Sequence, residues 1–94
     1  MEDIKDLIVC SVARIEMKEV KNPLIAVYGP NNRKYTSKYT ARVFDGQYET
    51  NIVVIRNELD ELQQDIKDNM PSKMKGIFAQ RGKDDSPDLI GLWV

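Results

Sequence analysis

The chain has 94 residues, of which 41% are hydrophobic and 31% are charged, and its formal net charge is −1. This length predicts a single domain over residues 1–94, and the composition is typical of a globular protein. The sequence contains no histidine and one cysteine, which excludes histidine-based catalysis, histidine-ligated metal sites and disulfides within the chain. We therefore expect a protein that is not an enzyme and that carries no metal or other cofactor.

The lone cysteine and the N-terminal residues indicate where the protein works. Cys10 lies in the apolar run 7–10, which is too short to cross a membrane. Residues 1–6 are acidic, unlike a secretory signal peptide. A single cysteine in an apolar run favours a reducing compartment, so we expect a cytoplasmic protein without a membrane partner, in which Cys10 is a small buried side chain.

The sequence of the first half of the chain predicts β-strands. Odd positions of Leu7–Val20 are mostly apolar and the segment is rich in β-branched residues, which predicts one long strand rather than a helix. Asn22-Pro23 ends it, and the apolar residues 24–28 predict a short strand before a turn at 29–32.

A hairpin is predicted next. Residues 35–44 alternate, with Tyr39 on the apolar face and a core role expected for it. Asp45-Gly46 is a hairpin turn by type, and residues 47–55 form the returning strand.

The period then changes to that of a helix. Leu59, Leu62 and Ile66 form a helical stripe that begins after a candidate N-cap, Asn57, and Met70-Pro71 ends the helix. Residues 73–81 predict a strand, residues 82–88 a polar loop, and residues 89–94 a final buried strand with Trp93 in the core.

This order of elements resembles that of OB-fold nucleic-acid-binding proteins. Residues 12–20 look like the first strand of such domains, and residues 75–79 with 89–92 look like their closing hairpin. The resemblance implies a mainly β fold, with one helix between strands 3 and 4 of a small five-stranded barrel, and a binding surface on the second and third strands. Alternatives are an SH3-like barrel, or a helix packed on a sheet that does not close.

Charge is unevenly distributed along the chain. The segment from Val20 to Phe44 has no acidic residue, whereas the remainder has 9 basic and 15 acidic residues. Its basic residues are Lys21, Arg33, Lys34, Lys38 and Arg42. This basic segment also contains three of the four tyrosines, Tyr28, Tyr35 and Tyr39. Cations that neutralise phosphates, interleaved with aromatic rings that stack on bases, are what a single-stranded nucleic acid requires.

The first functional prediction is therefore non-enzymatic binding of single-stranded nucleic acid, DNA rather than RNA. Lys38 and Arg42 would contact phosphates, Arg33 and Lys34 would form a rim, and Tyr35 with Tyr28 would stack on bases. These predicted site residues are Tyr28, Arg33, Lys34, Tyr35, Lys38 and Arg42. The plainer interpretation of Lys38 and Arg42 is a solvated strand face.

A second functional prediction involves a protein partner. Small size and polarised charge also suit a phage- or plasmid-type accessory module that binds or inhibits a larger host protein. Such a module would use either the basic segment or the acidic predicted helix as its contact. A domain of this size would also suit a homo-oligomer.

Overall fold

The structure of the protein, a computed structural model, describes residues 5–30, 35, 37–80, 82 and 88–94. Within them the chain forms strands, one α-helix and two short 3₁₀ turns. The strands are β1 (Leu7–Val9), β2 (Pro23–Tyr28), β3 (Tyr39–Asp45), β4 (Tyr48–Arg56), β5 (Phe78–Gln80) and β6 (Leu89–Trp93). The helix α1 is Leu59–Asp68, and the 3₁₀ turns are Val12–Arg14 and Met17–Glu19. The expected mainly β fold with one helix is thus confirmed.

The described strands form one open sheet in the order β1-β4-β3-β2-β6-β5. β1 runs parallel to β4, and the other neighbouring strands are antiparallel. The expected five-stranded barrel, with its helix between strands 3 and 4, is not formed. The short strand expected over residues 24–28 is β2, an inner strand flanked by β3 and β6. The helix α1 therefore follows the fourth strand, and the sheet edges are β1 and β5.

The single long strand expected over Leu7–Val20 is wrong. β1 ends at Val9, and Ser11 then caps the first 3₁₀ turn, its side chain accepting a hydrogen bond of 3.1 Å from the backbone N–H of Ala13. Short polar side chains compete with strand pairing in this way. Cys10, expected to be buried, is exposed because the strand has ended before it.

One face of the sheet packs against α1 and the 3₁₀ turns. Leu62 and Ile66 of α1 are fully buried there, as their helical spacing predicted, and Tyr39 packs partly buried against the same core. Trp93 is 5% exposed, and its indole N–H donates to Gln63 Oε1 at 2.7 Å. The core roles predicted for Tyr39 and Trp93 are confirmed. We call the opposite face of the sheet the outer face.

Both predicted hairpins are formed, but in the second one the first strand is shorter than expected. Gly46 has φ +61° in the turn between β3 and β4, a conformation that favours glycine. The strand expected over residues 73–81 is reduced to β5, because Gly76 turns the chain with φ +80° before it. β5 pairs with β6 so that Phe78 lies opposite Trp93. A Cβ at Gly91 would be 2.3 Å from the Phe78 ring, so this contact requires glycine.

Candidate binding site

The outer face gathers three of the residues predicted to bind nucleic acid. Arg42 lies in β3 beside Ala26 of β2, and its charge acts on the hydroxyls of both Tyr28 and Tyr35. Lys38 is exposed just before β3 and donates a hydrogen bond to Asn57 Oδ1. Arg33 and Lys34 lie outside the described residues.

Arg42 is engaged by groups of its own chain. Its Nη1 and Nη2 atoms lie 2.8 Å and 2.9 Å from the two carboxylate oxygens of Asp6, a bidentate ion pair. Nη1 also donates to Thr50 O at 3.0 Å, and Nε lies 3.1 Å from Glu49 Oε1. The Arg42 and Asp6 side chains are 10% and 7% exposed. A phosphate would have to displace Asp6 from a buried, paired geometry to reach this guanidinium.

An irregularity between β3 and β4 supplies one of these partners. Arg42 pairs with Val53 and Phe44 pairs with Glu49, so β4 carries extra residues opposite Val43. Thr50 fills the gap, since its hydroxyl donates to Val43 O at 2.6 Å and accepts from the N–H of Ile52 at 3.2 Å. The Thr50 carbonyl is thereby left to accept from Arg42.

Both tyrosines feel the charges of the Arg42 cluster, and Tyr35 is also hydrogen-bonded to it. The Tyr35 hydroxyl donates to Asp6 Oδ2 at 2.6 Å, and desolvation together with this hydrogen bond raises the pKa of Tyr35. Burial and the nearby Glu49 carboxylate raise the pKa of Tyr28, against the opposing effect of Arg42. The hydrogen bond with Asp6 raises the pKa of Arg42, so its charge is permanent.

Acidic residues cancel the positive charge of the described part of the predicted nucleic-acid site. Of its described residues, Lys38 and Arg42 are cations, and the cluster adds the carboxylates of Asp6 and Glu49, which balance them. Sequence reasoning missed Asp6 because this residue is 36 positions from Arg42. Only the parallel pairing of β1 with β4 brings it to the outer face, and no local pattern predicted that pairing.

A second polar cluster joins α1 to the segment after β1. The Asp65 carboxylate accepts hydrogen bonds from Ser11 Oγ at 2.7 Å, the N–H of Val12 at 3.1 Å and Asn69 Nδ2 at 2.8 Å. Arg56 Nη2 donates to it at 2.9 Å and also bonds the Cys10 carbonyl. The Asp65 side chain is 10% exposed, and this hub fixes the first 3₁₀ turn against the helix.

Between those turns and the end of α1 lies a cleft of about 460 Å³, which we call the helix-end cleft. Its apolar lining consists of Val12, Ala13, Ile15, Met17, Met70 and Pro71. Its polar lining consists of Lys18, Asn69, Ser72 and Lys73. None of these described lining residues is acidic. The cleft is open along one side and lies within the usual volume range of ligand sites.

Lys73 fixes one wall of the cleft. Its ammonium donates to the carbonyls of Met17, Lys18 and Val20 at 3.2, 3.2 and 2.8 Å. These are carbonyls of the second 3₁₀ turn and of the residue that caps it. An ammonium has three N–H donors, so Lys73 keeps its positive charge at a fixed position while its hydrogen bonds are used within the chain.

The described part of the chain was searched for metal-ligating clusters and for helices that could span a membrane. Among these residues there is no group of three Cys, Asp or Glu side chains arranged to hold a metal ion. No described helix is long and apolar enough to cross a membrane.

Comparisons with known proteins identified no relative of this chain. No protein-family model, no curated protein and no solved structure matches this chain. The resemblance to OB-fold proteins stays a prediction. The proposed function therefore depends on the outer face and the helix-end cleft.

Proposed function

We propose that this chain is a non-enzymatic protein-binding module and that the helix-end cleft is its binding site. The observation that carries the proposal is a concave surface on which Ile15, Met17 and Met70 are only half-buried. Apolar concavities with a few polar groups at the rim are the usual places where proteins bind ligands. The cleft, rather than the basic segment, thus becomes the candidate contact surface of the expected accessory module.

The rigidity of the cleft walls supports this proposal. Asp65 fixes Ser11 and Val12 to the helix, and Lys73 ties the second 3₁₀ turn to the segment that follows the helix. A surface that is already ordered before association loses less conformational entropy on binding. Binding sites supported by such secondary hydrogen bonds are better preorganised than those on unsupported loops.

The chemistry of the lining favours binding over catalysis. The polar groups that line the cleft are two ammonium groups, one amide and one hydroxyl. The described lining offers no carboxylate or thiol, and Lys73 uses its donors on backbone carbonyls. General acid–base catalysis draws most often on histidine, glutamate or aspartate, and the described lining contains none of these.

Selection of peptides tests the proposal even though the partner is unidentified. A library of random twelve-residue peptides displayed on phage is selected against the wild-type protein. Selected peptides are then titrated by fluorescence polarisation against Met17→Gln and against Ile77→Gln. Ile77 is 55% exposed and does not line the cleft, so it is the matched control.

The cleft predicts that Met17→Gln weakens the selected peptides by about tenfold while Ile77→Gln leaves their affinity unchanged. Circular dichroism confirms that both variants are folded. Two outcomes would contradict the proposed function: no peptide is selected, or Met17→Gln leaves the affinity of the selected peptides unchanged.

Binding of single-stranded DNA is a second candidate, favoured by one observation: Lys38 is exposed, and its backbone N–H donates to the carbonyl of Tyr35 at 3.0 Å, which places it beside the Arg42 cluster. The test is fluorescence anisotropy of a labelled oligonucleotide at about 50 mM and about 200 mM salt, since phosphate contacts weaken steeply with salt. Salt-sensitive binding that Lys38→Glu abolishes and Lys18→Glu preserves would support this candidate. No binding at the lower salt concentration would remove it.

A further inference from the structure

The structure assigns a chemistry to the occupant of the helix-end cleft. We propose that it is a segment of a partner protein in which one or two large apolar side chains lie beside a carboxylate. This inference rests on the proposed function and deepens it, because it states which peptides the cleft selects.

The apolar lining of the cleft indicates that its occupant has apolar side chains. Ile15, Met17 and Met70 pack on the core with one side and leave the other side in the cleft. Removing such surface from water drives association. Two methionines make the surface adaptable, since their unbranched chains repack around differently shaped side chains. An open cleft of about 460 Å³ therefore suits a few side chains of a passing polypeptide.

The carboxylate follows from the charge of the rim. Lys18 and Lys73 contribute two positive charges, and the described lining contains no acidic residue. The carbonyl end of α1 approaches the same cleft and contributes about half a negative charge. The two ammonium groups outweigh this partial charge even when the exposed Glu16 carboxylate, 3.9 Å from Lys18, is counted, so the cleft keeps a small net positive charge. An anionic group on the ligand complements that potential, and a cationic group is repelled by it.

The two lysines have different roles in this complementarity. Lys73 is fixed by the backbone carbonyls, so it acts as a constant positive charge. The Lys18 side chain is 81% exposed, and its neighbour Glu16 is 3.9 Å away and 79% exposed. An exposed pair of this length holds its partners weakly. Lys18 is thus the group that can turn to a ligand carboxylate and form a hydrogen bond with it.

The experiment uses the peptides selected from the random library. Enriched peptides are sequenced, and one of them is titrated against wild type, Lys18→Glu and Lys38→Glu. The last variant reverses an exposed lysine that does not line the cleft and is the matched control. The same peptide is also remade with its acidic residues replaced by lysine, and displacement by a twelve-residue oligothymidylate is measured.

We expect enriched peptides that combine apolar and acidic residues. Lys18→Glu should weaken them about tenfold or more, the lysine-substituted peptide should bind as poorly, and Lys38→Glu should have no effect. Peptides that occupy the cleft but are neutral or basic overturn this inference and leave the proposed function standing. If the oligothymidylate displaces the peptide from the wild-type protein and Lys18→Glu abolishes this displacement, the inference is overturned in favour of nucleic acid. Peptides insensitive to Met17→Gln overturn both proposals.

Discussion

Two regions of this protein place cations beside aromatic or apolar side chains, and they differ in what the cations do. On the outer face, Arg42 is buried and its guanidinium is bonded to Asp6. At the helix-end cleft, Lys18 is 81% exposed and no acidic residue belongs to the described lining. A buried, paired cation contributes to the fold, whereas an exposed cation above an apolar cleft is available to a ligand.

This difference predicts that stability and binding respond to different substitutions. Changes on the outer face should alter the free energy of unfolding and leave peptide affinity unchanged. Changes at the exposed rim of the cleft should do the reverse. The hub at Asp65 should affect both properties, since its side chain is only 10% exposed and also positions a wall of the cleft.

Arg42→Leu should have the greatest effect on stability, because it removes the guanidinium that forms the bidentate ion pair with the Asp6 carboxylate, whose side chain is 7% exposed. We expect a loss of about 3–5 kcal/mol in the free energy of unfolding, measured by urea denaturation. The double variant Asp6→Leu/Arg42→Leu should recover much of that loss, because neither charge is then left unpaired. A single-variant loss below about 1 kcal/mol would mean that the pair is not buried as described.

Asp65→Ala should follow in magnitude, with a loss of roughly 2–3 kcal/mol, since it removes the acceptor for Ser11, Val12 and Arg56. The freed wall should also lower peptide affinity. Asp68→Ala is the control on the same helix. Asp68 is exposed and accepts only a hydrogen bond from Gln64 among those described, so a change within about 0.5 kcal/mol is expected. Equal losses in both variants would argue against the hub.

Lys73→Met should cost roughly 1 kcal/mol, because three hydrogen bonds from the ammonium are lost at a partly exposed position. Peptide affinity should fall as well, since the constant positive charge of the cleft disappears. Lys75→Met, two residues along and exposed, should leave both the unfolding free energy and the affinity unchanged. An effect of Lys75→Met equal to that of Lys73→Met would indicate a general charge effect.

Lys18→Glu gives the cleanest separation of the two properties. Its effect on the unfolding free energy should stay within about 0.5 kcal/mol, because the side chain and its pairing with Glu16 are exposed. Peptide affinity should nevertheless fall. Denaturation and fluorescence polarisation on the same preparation measure both quantities, and a large loss of stability here would contradict the assignment of Lys18 to the surface.

A pH dependence at Tyr35, whose pKa is raised in the folded protein, should be the weakest of these effects. The unfolded chain loses this proton near pH 10 and the folded chain only at higher pH, so stability falls as pH rises above about 10. Between about pH 9 and pH 11 the unfolding free energy of wild type should decrease more than that of Tyr35→Phe. Equal decreases would show that the Tyr35 hydroxyl is not held by Asp6.

Local patterns predicted much of the fold. The Asp45-Gly46 turn, the Leu62 and Ile66 stripe and the burial of Trp93 each depend on neighbouring residues, and each is confirmed. The expected long strand failed because Ser11 caps a turn within an apolar segment, a local competition that alternation does not reveal. The open order of the sheet depends on the long-range pairing of β1 with β4 and of β2 with β6, which local periodicity does not determine.

The candidate site was harder to predict than the fold. The alternation of residues 35–44 predicted correctly that Arg42 lies in a strand, but neither it nor the charge count along the chain could show that Asp6 lies against it. The cleft combines Ile15 and Met17 from one segment with Met70 and Lys73 from another, more than fifty residues away. Such a surface exists only after folding, so no contiguous motif marks it in the sequence.

A chemical-shift titration can locate the bound peptide on the molecule. The ¹⁵N-labelled protein is titrated with a selected acidic, apolar peptide, and the amide shifts are mapped on the structure. We predict that the greatest changes fall on residues 12–18 and 69–73, the segments that form the helix-end cleft. Changes centred instead on Tyr35, Lys38 and Arg42, with residues 12–18 unaffected, would contradict binding in the cleft and return the binding function to the basic segment.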